Sequence, residues 1–179
     1  MRLQGLYDKY SRFTDKGTVH SYLELYNQLL YPFIGKKAVV LELGVDTGGS
    51  LLLWKEYLGD AAVLGVDIKS CPELLLFREG IFFHQIDCVD RAAIEREFAG
   101  VTFDVIIDDA SHLPSSQVAS FELLYPKLKV GGLYVIEDCQ KAETQRIQAM
   151  NDGAVDIFDL RSTRNRVDDI IAVINKRDH

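Results

Sequence analysis

The sequence predicts an α/β domain whose sheet is doubly wound, seven-stranded and mostly parallel. Short apolar runs of strand length end in acidic or small polar residues, and segments of helical composition separate them. The connections between the two kinds of segment are short, which is typical of strand–helix–strand units. No repeat, low-complexity stretch or linker divides the 179 residues, so we expect one domain over residues 1–179.

Seven runs have the length and the β-branched composition of strands. In chain order they are Ala38–Leu43, Ala62–Asp67, Ile81–Asp87, Phe103–Asp108, Gly132–Glu137, Val155–Leu160 and Asp169–Ile174. The first five are almost continuously apolar. This pattern predicts that the sheet buries them on both faces.

Helices are predicted between the strands and before the first of them. The intervening ones are Ser50–Leu58, Arg91–Phe98 and Ser115–Leu128. A further segment, Thr18–Leu30, carries apolar residues at helical spacing and stops at Pro32. We therefore expect residues 1–36 to form a helical addition to the sheet, whose apolar face serves the core or a homodimer contact.

The charge balance argues against a nucleic-acid partner. The chain has 20 Lys and Arg residues against 27 Asp and Glu residues, a formal net charge of −7, whereas phosphate binding needs a Lys/Arg surplus. No apolar run approaches the ~20 residues of a membrane span, and the first residues lack a signal-peptide pattern. Three distant cysteines without a CxxC pair indicate reduced thiols. We expect a cytoplasmic protein without a membrane segment.

The end of the first predicted strand has the composition of a ligand-binding turn. Glu42 is followed by Gly44, Gly48 and Ser50, and then by a helix. Glycine permits a tight turn and a close approach of ligand to backbone, and a helix N-terminus offers unpaired N–H groups. The pattern is neither the G-x-G-x-x-G of dinucleotide sites nor a P-loop. A plain strand-to-helix turn is the structural alternative for the glycines taken alone.

Acidic residues at the next two strand ends extend this pattern. Asp67 ends the second strand, where a carboxylate can accept both hydroxyls of a ribose, and Asp87 ends the third, where it could meet an adenine amino group. Ligands of open α/β sheets bind at this edge. An acidic residue, a glycine turn, a ribose acid and an adenine acid in this order predict a site for S-adenosylmethionine.

A second acidic group follows the fourth and fifth strands. Asp109 comes after the fourth strand and Asp138 after the fifth. Neighbouring strands lie about 4.8 Å apart, so the two carboxylates could share one hard divalent cation, for which magnesium is the natural candidate. His112, in the same loop as Asp109, could take a proton from a substrate hydroxyl. The alternatives are a cap or loop role for Asp108 or Asp109 and a surface or packing role for His112.

With these residues the chain resembles the metal-dependent sugar O-methyltransferases of macrolide and related natural-product pathways. That family includes macrocin-type and rhamnosyl enzymes and proteins labelled cephalosporin hydroxylase. The resemblance covers about two thirds of the chain, from Asp15 to Asp138. The matching residues are Asp15-Lys16-Gly17 with His20, Leu41-Glu42-Leu43-Gly44-Val45 with Gly48-Gly49-Ser50-Leu51 and Trp54, Gly65-Val66-Asp67-Ile68, Asp104-Val105-Ile106-Ile107-Asp108-Asp109 with Ser111-His112, and Lys129 with Gly131-Gly132-Leu133-Tyr134-Val135-Ile136-Glu137-Asp138.

The resemblance implies a Rossmann-like class I methyltransferase fold, S-adenosylmethionine and Mg²⁺ as cofactors, and a hydroxylated acceptor such as a sugar. It makes Asp109 and Asp138 the metal ligands and His112 the general base. The cofactor-binding residues that we expect are Glu42, Gly44, Gly48, Ser50, Asp67, Ile68, Asp87, Cys88 and Asp108. The Asp15-Lys16-Gly17 turn with His20 could close over the cofactor as a lid, or could be a surface turn with a histidine at the start of a helix.

Two other classes of function stay open. A nucleotide-dependent oxidoreductase could use a similar sheet, although the missing G-x-G-x-x-G argues against it. The second alternative is a protein that binds S-adenosylmethionine without turnover. It is suggested by Asp46, which stands where many methyltransferases have glycine, and by the short stretch between Asp138 and Val155, which leaves little room for a substrate lid.

Overall fold

A computed structural model describes residues 3–139 and 155–178 of the chain. Residues 140–154, in the short stretch predicted to leave little room for a substrate lid, lie outside the described residues. Its strands are β1 Val39–Leu43, β2 Ala62–Asp67, β3 Ile81–Gln85, β4 Phe103–Asp108, β5 Leu128–Ile136, β6 Val155–Asp159 and β7 Ile170–Asn175. They form one sheet in the order β3-β2-β1-β4-β5-β7-β6. β7 pairs antiparallel with β5 and β6, and the other pairs are parallel. The predicted doubly wound, seven-stranded, mostly parallel sheet is confirmed.

Helices cover both faces of the sheet. They are α1 Leu3–Tyr10, α2 Leu23–Leu30, α3 Gly49–Leu58, α4 Arg91–Glu97, α5 Pro114–Leu124 and the single turn α6 Arg161–Arg164. Successive strand side chains point to opposite faces. In β4, for example, Val105 joins the core formed with α1, α2 and α3, whereas Ile106 joins the core formed with α4 and α5. Nowhere in the described ranges does a helix have the length and apolarity needed to cross a membrane.

The third strand corrects one prediction. β3 lies at the edge of the sheet and has one neighbour, β2. Its side chains are therefore half-buried or exposed, and Phe82 is 53% exposed. The expectation that all of the first five strands are buried on both faces is wrong for this strand. Its apolar composition does not distinguish an edge position from a central one.

Two predicted helix boundaries are also corrected. The N-terminal helix α2 begins at Leu23 rather than Thr18, because the preceding residues form a turn in which the N–H groups of Thr18 and His20 donate to the carbonyl oxygen of Asp15. The helix α5 ends at Leu124. Pro126 follows within a short 3₁₀ helix, Tyr125–Lys127, and β5 then begins at Leu128, four residues before the predicted Gly132.

The strand order reverses between β1 and β4, which is where open α/β sheets bind their ligands. Beyond the strand ends, the N–H of Asp109 donates to the carbonyl oxygen of Leu43 at 2.9 Å. Gly44 has a φ of 82°. A Cβ at this position would lie 2.1 Å from the Asp109 carbonyl oxygen, so only glycine lets the two strand ends approach so closely.

Candidate active site

A cavity of about 700 Å³ opens at the carboxyl ends of the first five strands. Nine of the twelve predicted site residues line it, namely Gly44, Ser50, Asp67, Ile68, Asp87, Cys88, Asp109, His112 and Asp138. The wall also includes Ser11, Arg12, Phe13, Thr14 and Thr18, for which no site role was predicted. Apart from Phe13 these residues are polar or charged, and none of them belongs to a recognisable motif, so nothing in the sequence identifies them as site residues.

Asp67 lies at the end of β2 and is held by backbone N–H groups. Its Oδ2 accepts from Val45 at 2.9 Å and from Asp46 at 3.1 Å, and its Oδ1 accepts from Lys69 at 2.9 Å. Burial acts to raise the pKa of Asp67, but these donors and the Lys69 charge outweigh it and bring the pKa below its ordinary value. The carboxylate is therefore ionised and fixed in direction, as recognition of a ribose diol requires.

Asp87 and Cys88 follow β3 on the same side of the cavity. Asp87 Oδ1 accepts a hydrogen bond from the N–H of Val89 at 3.0 Å, which orders the turn before α4. Burial, together with the nearby Asp108 and Asp87 carboxylates, raises the pKa of the Cys88 thiol to about 12. The thiol stays protonated at neutral pH, so Cys88 can contact a ligand but cannot act as a nucleophile.

Asp109, His112 and Asp138 form a compact group at the ends of β4 and β5. His112 Nε2 lies 3.9 Å from Asp109 Oδ1 and 3.6 Å from Asp138 Oδ2. One ligand atom from each of the three lies within 4.8 Å of those of the other two. His112 and Asp138 each have a φ of 52°, in the left-handed region. Such strained backbone in residues other than glycine is concentrated at functional sites.

The N-terminal segment engages one oxygen of each carboxylate. Lys16 Nζ donates to Asp109 Oδ2 at 2.6 Å, and the hydroxyl of Tyr22 donates to Asp138 Oδ1. The other oxygens, Asp109 Oδ1 and Asp138 Oδ2, remain on the side of His112. Two carboxylate oxygens with an imidazole beside them suit a hard divalent cation, so the residues present fit a metal site.

Lys16 is 1% exposed and lies among three acidic side chains. Its Nζ is 2.6 Å from Asp109 Oδ2, 2.6 Å from Glu137 Oε1 and 3.4 Å from Glu42 Oε1. Burial acts to lower the pKa of Lys16, but the three carboxylates outweigh it and raise the pKa well above its ordinary value. Lys16 is therefore a charged ammonium inside the protein.

Two of the acids around Lys16 are themselves buried. Burial raises the pKa of Glu42 to about 7, although the Lys16 charge opposes the shift. Glu42 Oε2 accepts a hydrogen bond from Trp54 Nε1 at 2.9 Å. Burial likewise raises the pKa of Glu137, which accepts hydrogen bonds from Lys16 and from the hydroxyl of Tyr26. Both carboxylates lie beneath the cavity rather than in its wall.

His20 supports the group from the other side. Its Nδ1 lies 2.6 Å from Asp169 Oδ1 and 3.4 Å from Asp138 Oδ1, and its ring stacks on Tyr22. His20 is buried, as is Asp169. Lys16 and His20 thus lie below the carboxylates, while Asp15 lines the cavity. Lys16 and His20 are among the residues that carry the family resemblance, but no sequence signal identified Tyr22, Tyr26 or Asp169 as their partners.

Three predicted cofactor residues, Glu42, Gly48 and Asp108, lie outside the cavity wall, and their cofactor roles stay predictions. Asp108 accepts hydrogen bonds from the Ser120 hydroxyl and the Ala110 N–H, and burial raises its pKa to about 6. Gly48 precedes α3 with a φ of 87°. A Cβ on Gly48 would lie 2.7 Å from Leu75 Cγ, so the glycine allows the turn to pack closely.

The chain is similar in sequence to curated sugar O-methyltransferases. It is 34% identical over 148 residues to 8-demethyl-8-alpha-L-rhamnosyl tetracenomycin-C 2'-O-methyltransferase of Streptomyces olivaceus. It is 35% identical over 136 residues to mycinamicin VI 2''-O-methyltransferase of Micromonospora griseorubida. The two alignments cover 78% and 70% of this chain but 38% and 33% of those proteins, so the chain spans little more than a third of their length. No protein-family model matches the chain.

Solved structures show a similar relationship. MycE methyltransferase from the mycinamycin biosynthetic pathway, solved in complex with Mg, SAH and mycinamycin VI, superposes with a TM-score of 0.80 at 25% identity. The superposition covers 99% of this chain and 55% of the MycE chain. The described sheet and the helices on both of its faces therefore have a counterpart in a solved protein.

Proposed function

The chain belongs to the family of sugar O-methyltransferases and has the class I methyltransferase fold, and we propose that it transfers the methyl group of S-adenosylmethionine to a hydroxyl. The acceptor class that we propose is a sugar or another polyhydroxylated small molecule, and the metal is Mg²⁺. MycE, which covers nearly the whole chain in superposition, was solved with Mg and SAH. Because the curated relatives are much longer, the activity of the whole protein is part of this proposal.

One observation carries the proposal. A single cavity is lined by Asp67 and Asp87 at the ends of β2 and β3, and by the Asp109, His112 and Asp138 group beyond β4 and β5. The acids proposed for the ribose and the adenine thus line the same cavity as the two carboxylates proposed for the metal and the proposed base His112. A methyl transfer to a hydroxyl needs these two functions next to each other, because the donor and the acceptor must react in line.

The proposed roles follow from the places of these residues in the cavity wall. Asp67, fixed by three backbone donors, binds the ribose hydroxyls, and Asp87 meets the adenine amino group. When bound, S-adenosylmethionine would supply an electrophilic methyl group and magnesium would favour ionisation of the acceptor hydroxyl. The cation would be held through Asp109 Oδ1 and Asp138 Oδ2. His112 Nε2, 3.6 Å from Asp138 Oδ2, takes the proton from the acceptor hydroxyl.

The proposal includes a cytoplasmic location, which suits the Cys88 thiol in the cavity wall because a reducing compartment keeps it unoxidised. We also retain a homodimer as a prediction, which light scattering tests. The apolar side chains Leu23, Leu25, Tyr26 and Leu30 of α2 are buried within the chain. They serve the core, so another surface would have to form the dimer contact.

Cofactor binding is tested by calorimetry on the wild-type chain with S-adenosylmethionine and, separately, with NADH. We expect heat from the first titration and none from the second. A signal only with NADH would support the oxidoreductase alternative. Binding of S-adenosylmethionine without methyl transfer to any of a panel of sugars and polyols would support a binding protein without turnover.

The base is tested with His112→Ala. We expect cofactor affinity within about threefold of wild type and a loss of turnover of about 10² or more, because a positioned general base contributes 10²–10⁴. His84→Ala is the matched control, since His84 pairs with Glu97 and does not line the cavity. Equal losses in the two variants, or full turnover in His112→Ala, would remove His112 from the mechanism.

The metal site is tested with Asp109→Asn and Asp138→Asn. We expect both to lose the Mg²⁺ dependence of turnover, and a chelator to inactivate the wild type reversibly. Asp159→Asn is the control, because Asp159 is half-exposed and pairs with Arg161 away from the cavity. Turnover that a chelator leaves unchanged would exclude the metal.

A further inference from the structure

The ends of the three central strands meet at one ammonium group. Glu42 belongs to β1, Asp109 follows β4 and Glu137 follows β5, and all three carboxylates lie within 3.4 Å of Lys16 Nζ. Lys16 itself comes from the N-terminal turn, 93 residues before Asp109. One side chain from outside the sheet thus joins the strand ends on which the proposed metal site is built.

A buried lysine in this position requires an explanation, because a charge removed from water destabilises the fold unless it is well paired. Here the pairing is close, with 2.6 Å to both Asp109 and Glu137. The Tyr26 ring, 5.9 Å from Nζ, adds a cation–π contact. The ammonium is therefore surrounded by carboxylate oxygens from three strand ends and offsets their charge inside the protein.

We propose that the Lys16 ammonium is a resident cation that positions Asp109 for the metal site, an inference that rests on the proposed function. By binding Asp109 Oδ2, it leaves Asp109 Oδ1 directed towards His112 and Asp138. By binding Glu137 as well, it fixes the spacing of the β4 and β5 ends. Lys16 does not line the cavity, so it is a positioning residue that acts through Asp109.

A structural ion pair without influence on the site is the competing explanation. It predicts that replacing Lys16 lowers stability but leaves the turnover of each folded molecule unchanged. A positioning role predicts a loss of turnover in protein that is still folded and still binds the cofactor. It also predicts recovery when an ammonium ion is returned to the same place.

The test compares Lys16→Ala with Lys16→Met, with and without propylammonium. Alanine leaves room for a propylammonium ion where the lysine side chain was, whereas methionine fills that space with apolar atoms. In both variants we expect turnover at least tenfold below wild type, with the dissociation constant for S-adenosylmethionine within about threefold. Propylammonium is expected to raise the melting temperature and the turnover of Lys16→Ala but not of Lys16→Met.

Two controls isolate the effect. Lys9→Ala removes an exposed lysine of the same segment, paired with Glu56 outside the cavity. We expect this variant to keep wild-type turnover and to show no response to propylammonium. Sodium chloride at equal ionic strength controls for screening. If Lys16→Ala does not fold without propylammonium, turnover is measured on Lys16→Gln instead, which keeps an N–H donor without the charge. The melting temperature is then replaced by the folding yield of Lys16→Ala with and without propylammonium.

Wild-type turnover in folded Lys16→Met would overturn the proposal, and so would an equal response of Lys16→Ala and Lys9→Ala to propylammonium. The melting measurement does not depend on activity. If the wild type transfers no methyl group, the proposed function fails, and the thermal response of Lys16→Ala still decides whether an ammonium ion is the group that this site requires.

Discussion

The hydroxyl of Tyr22 donates a hydrogen bond to Asp138 Oδ1 although 116 residues separate the two in the chain. Tyr22 immediately precedes α2, and Asp138 follows β5. Burial and the Asp138 carboxylate raise the pKa of Tyr22 well above its ordinary value, so the phenol remains a proton donor. The bond attaches the N-terminal segment to the proposed metal site and leaves Asp138 Oδ2 available on the side of His112.

Replacing Tyr22 by phenylalanine tests this attachment. Tyr22→Phe removes the donor and keeps the ring, so we expect a loss of about 1–3 kcal/mol in the free energy of unfolding, because a buried acceptor loses its partner. Turnover is expected to fall about tenfold, since a small displacement of a metal-binding carboxylate is enough to reduce catalysis. Denaturant unfolding and steady-state kinetics measure the two effects.

Tyr57→Phe is the matched control for that change. The Tyr57 hydroxyl donates to Asn27, at 3.2 Å to its carbonyl oxygen and 3.1 Å to its Oδ1, and does not line the cavity. We expect it to lose stability but not turnover. Identical kinetics in the two variants would show that the Tyr22 bond has no bearing on the site.

Asp46 provides a prediction about backbone strain. Its φ is 45°, and its carboxylate forms an exposed pair with Lys69 at 3.2 Å. Asp46→Gly and Asp46→Ala both lose this pair, which is worth at most about 1 kcal/mol. Only glycine adopts the left-handed backbone without cost, so we expect Asp46→Gly to be more stable than Asp46→Ala by about 1–2 kcal/mol in denaturant unfolding.

The same pair of variants bears on catalysis. If Asp46 is compatible with turnover, Asp46→Gly should not create an activity that the wild type lacks. Methyl transfer by Asp46→Gly but not by the wild type would instead support the alternative of a cofactor-binding protein without turnover. Equal stability of the glycine and alanine variants would contradict the prediction of strain at this position.

Glu42 provides a prediction about pH. Burial raises its pKa from 4.5 to about 7, so the folded state binds this proton more tightly than the unfolded state. The contribution of Glu42 to stability therefore falls as pH rises from 4.5 to 7, by about 3 kcal/mol. Glu42→Gln removes this dependence, and its stability relative to wild type should rise over that range in denaturant unfolding with a chelator present.

Glu56→Gln is the control with the opposite sign. Hydrogen bonds from Lys9 and Tyr10 lower the pKa of Glu56, so its contribution to stability is present above its unfolded pKa and is lost as pH falls. Relative to wild type, the stability of Glu56→Gln should therefore not rise with pH. A difference between wild type and Glu42→Gln that is independent of pH would contradict the assignment of a raised pKa to Glu42.

The sheet could be predicted because each strand carries its own signal. Apolar runs that end in Asp67, Asp108 or Glu137 mark both the strand and the edge at which it ends. The corrections fall where position in the sheet or a local turn decides. The edge position of β3 depends on the strand order. The late start of α2 depends on the turn before it, in which the carbonyl oxygen of Asp15 accepts hydrogen bonds from backbone N–H groups.

The candidate site also contains residues that the sequence could predict and residues that it could not. Asp67, Asp109, His112 and Asp138 were predicted to lie at one edge, because the carboxyl ends of parallel strands meet there, and all four line the cavity. The cofactor roles predicted for Glu42 and Asp108 rest on the same rule. These two side chains are buried because helices pack over them. Glu42 accepts a hydrogen bond from Trp54 of α3, and Asp108 accepts one from Ser120 of α5.

By itself, the sequence determined the order of strands and helices and the acidic residues that end the strands, since both follow from periodicity within short segments. Only the tertiary structure decided the partners of those acids. Lys16 on Asp109, Tyr22 on Asp138 and His20 on Asp169 are contacts across 93, 116 and 149 residues. Such contacts depend on how the N-terminal segment packs against the strand ends. The partners are set by the burial of charge, because an ammonium or a carboxylate removed from water requires a partner of opposite charge or a hydrogen-bond donor.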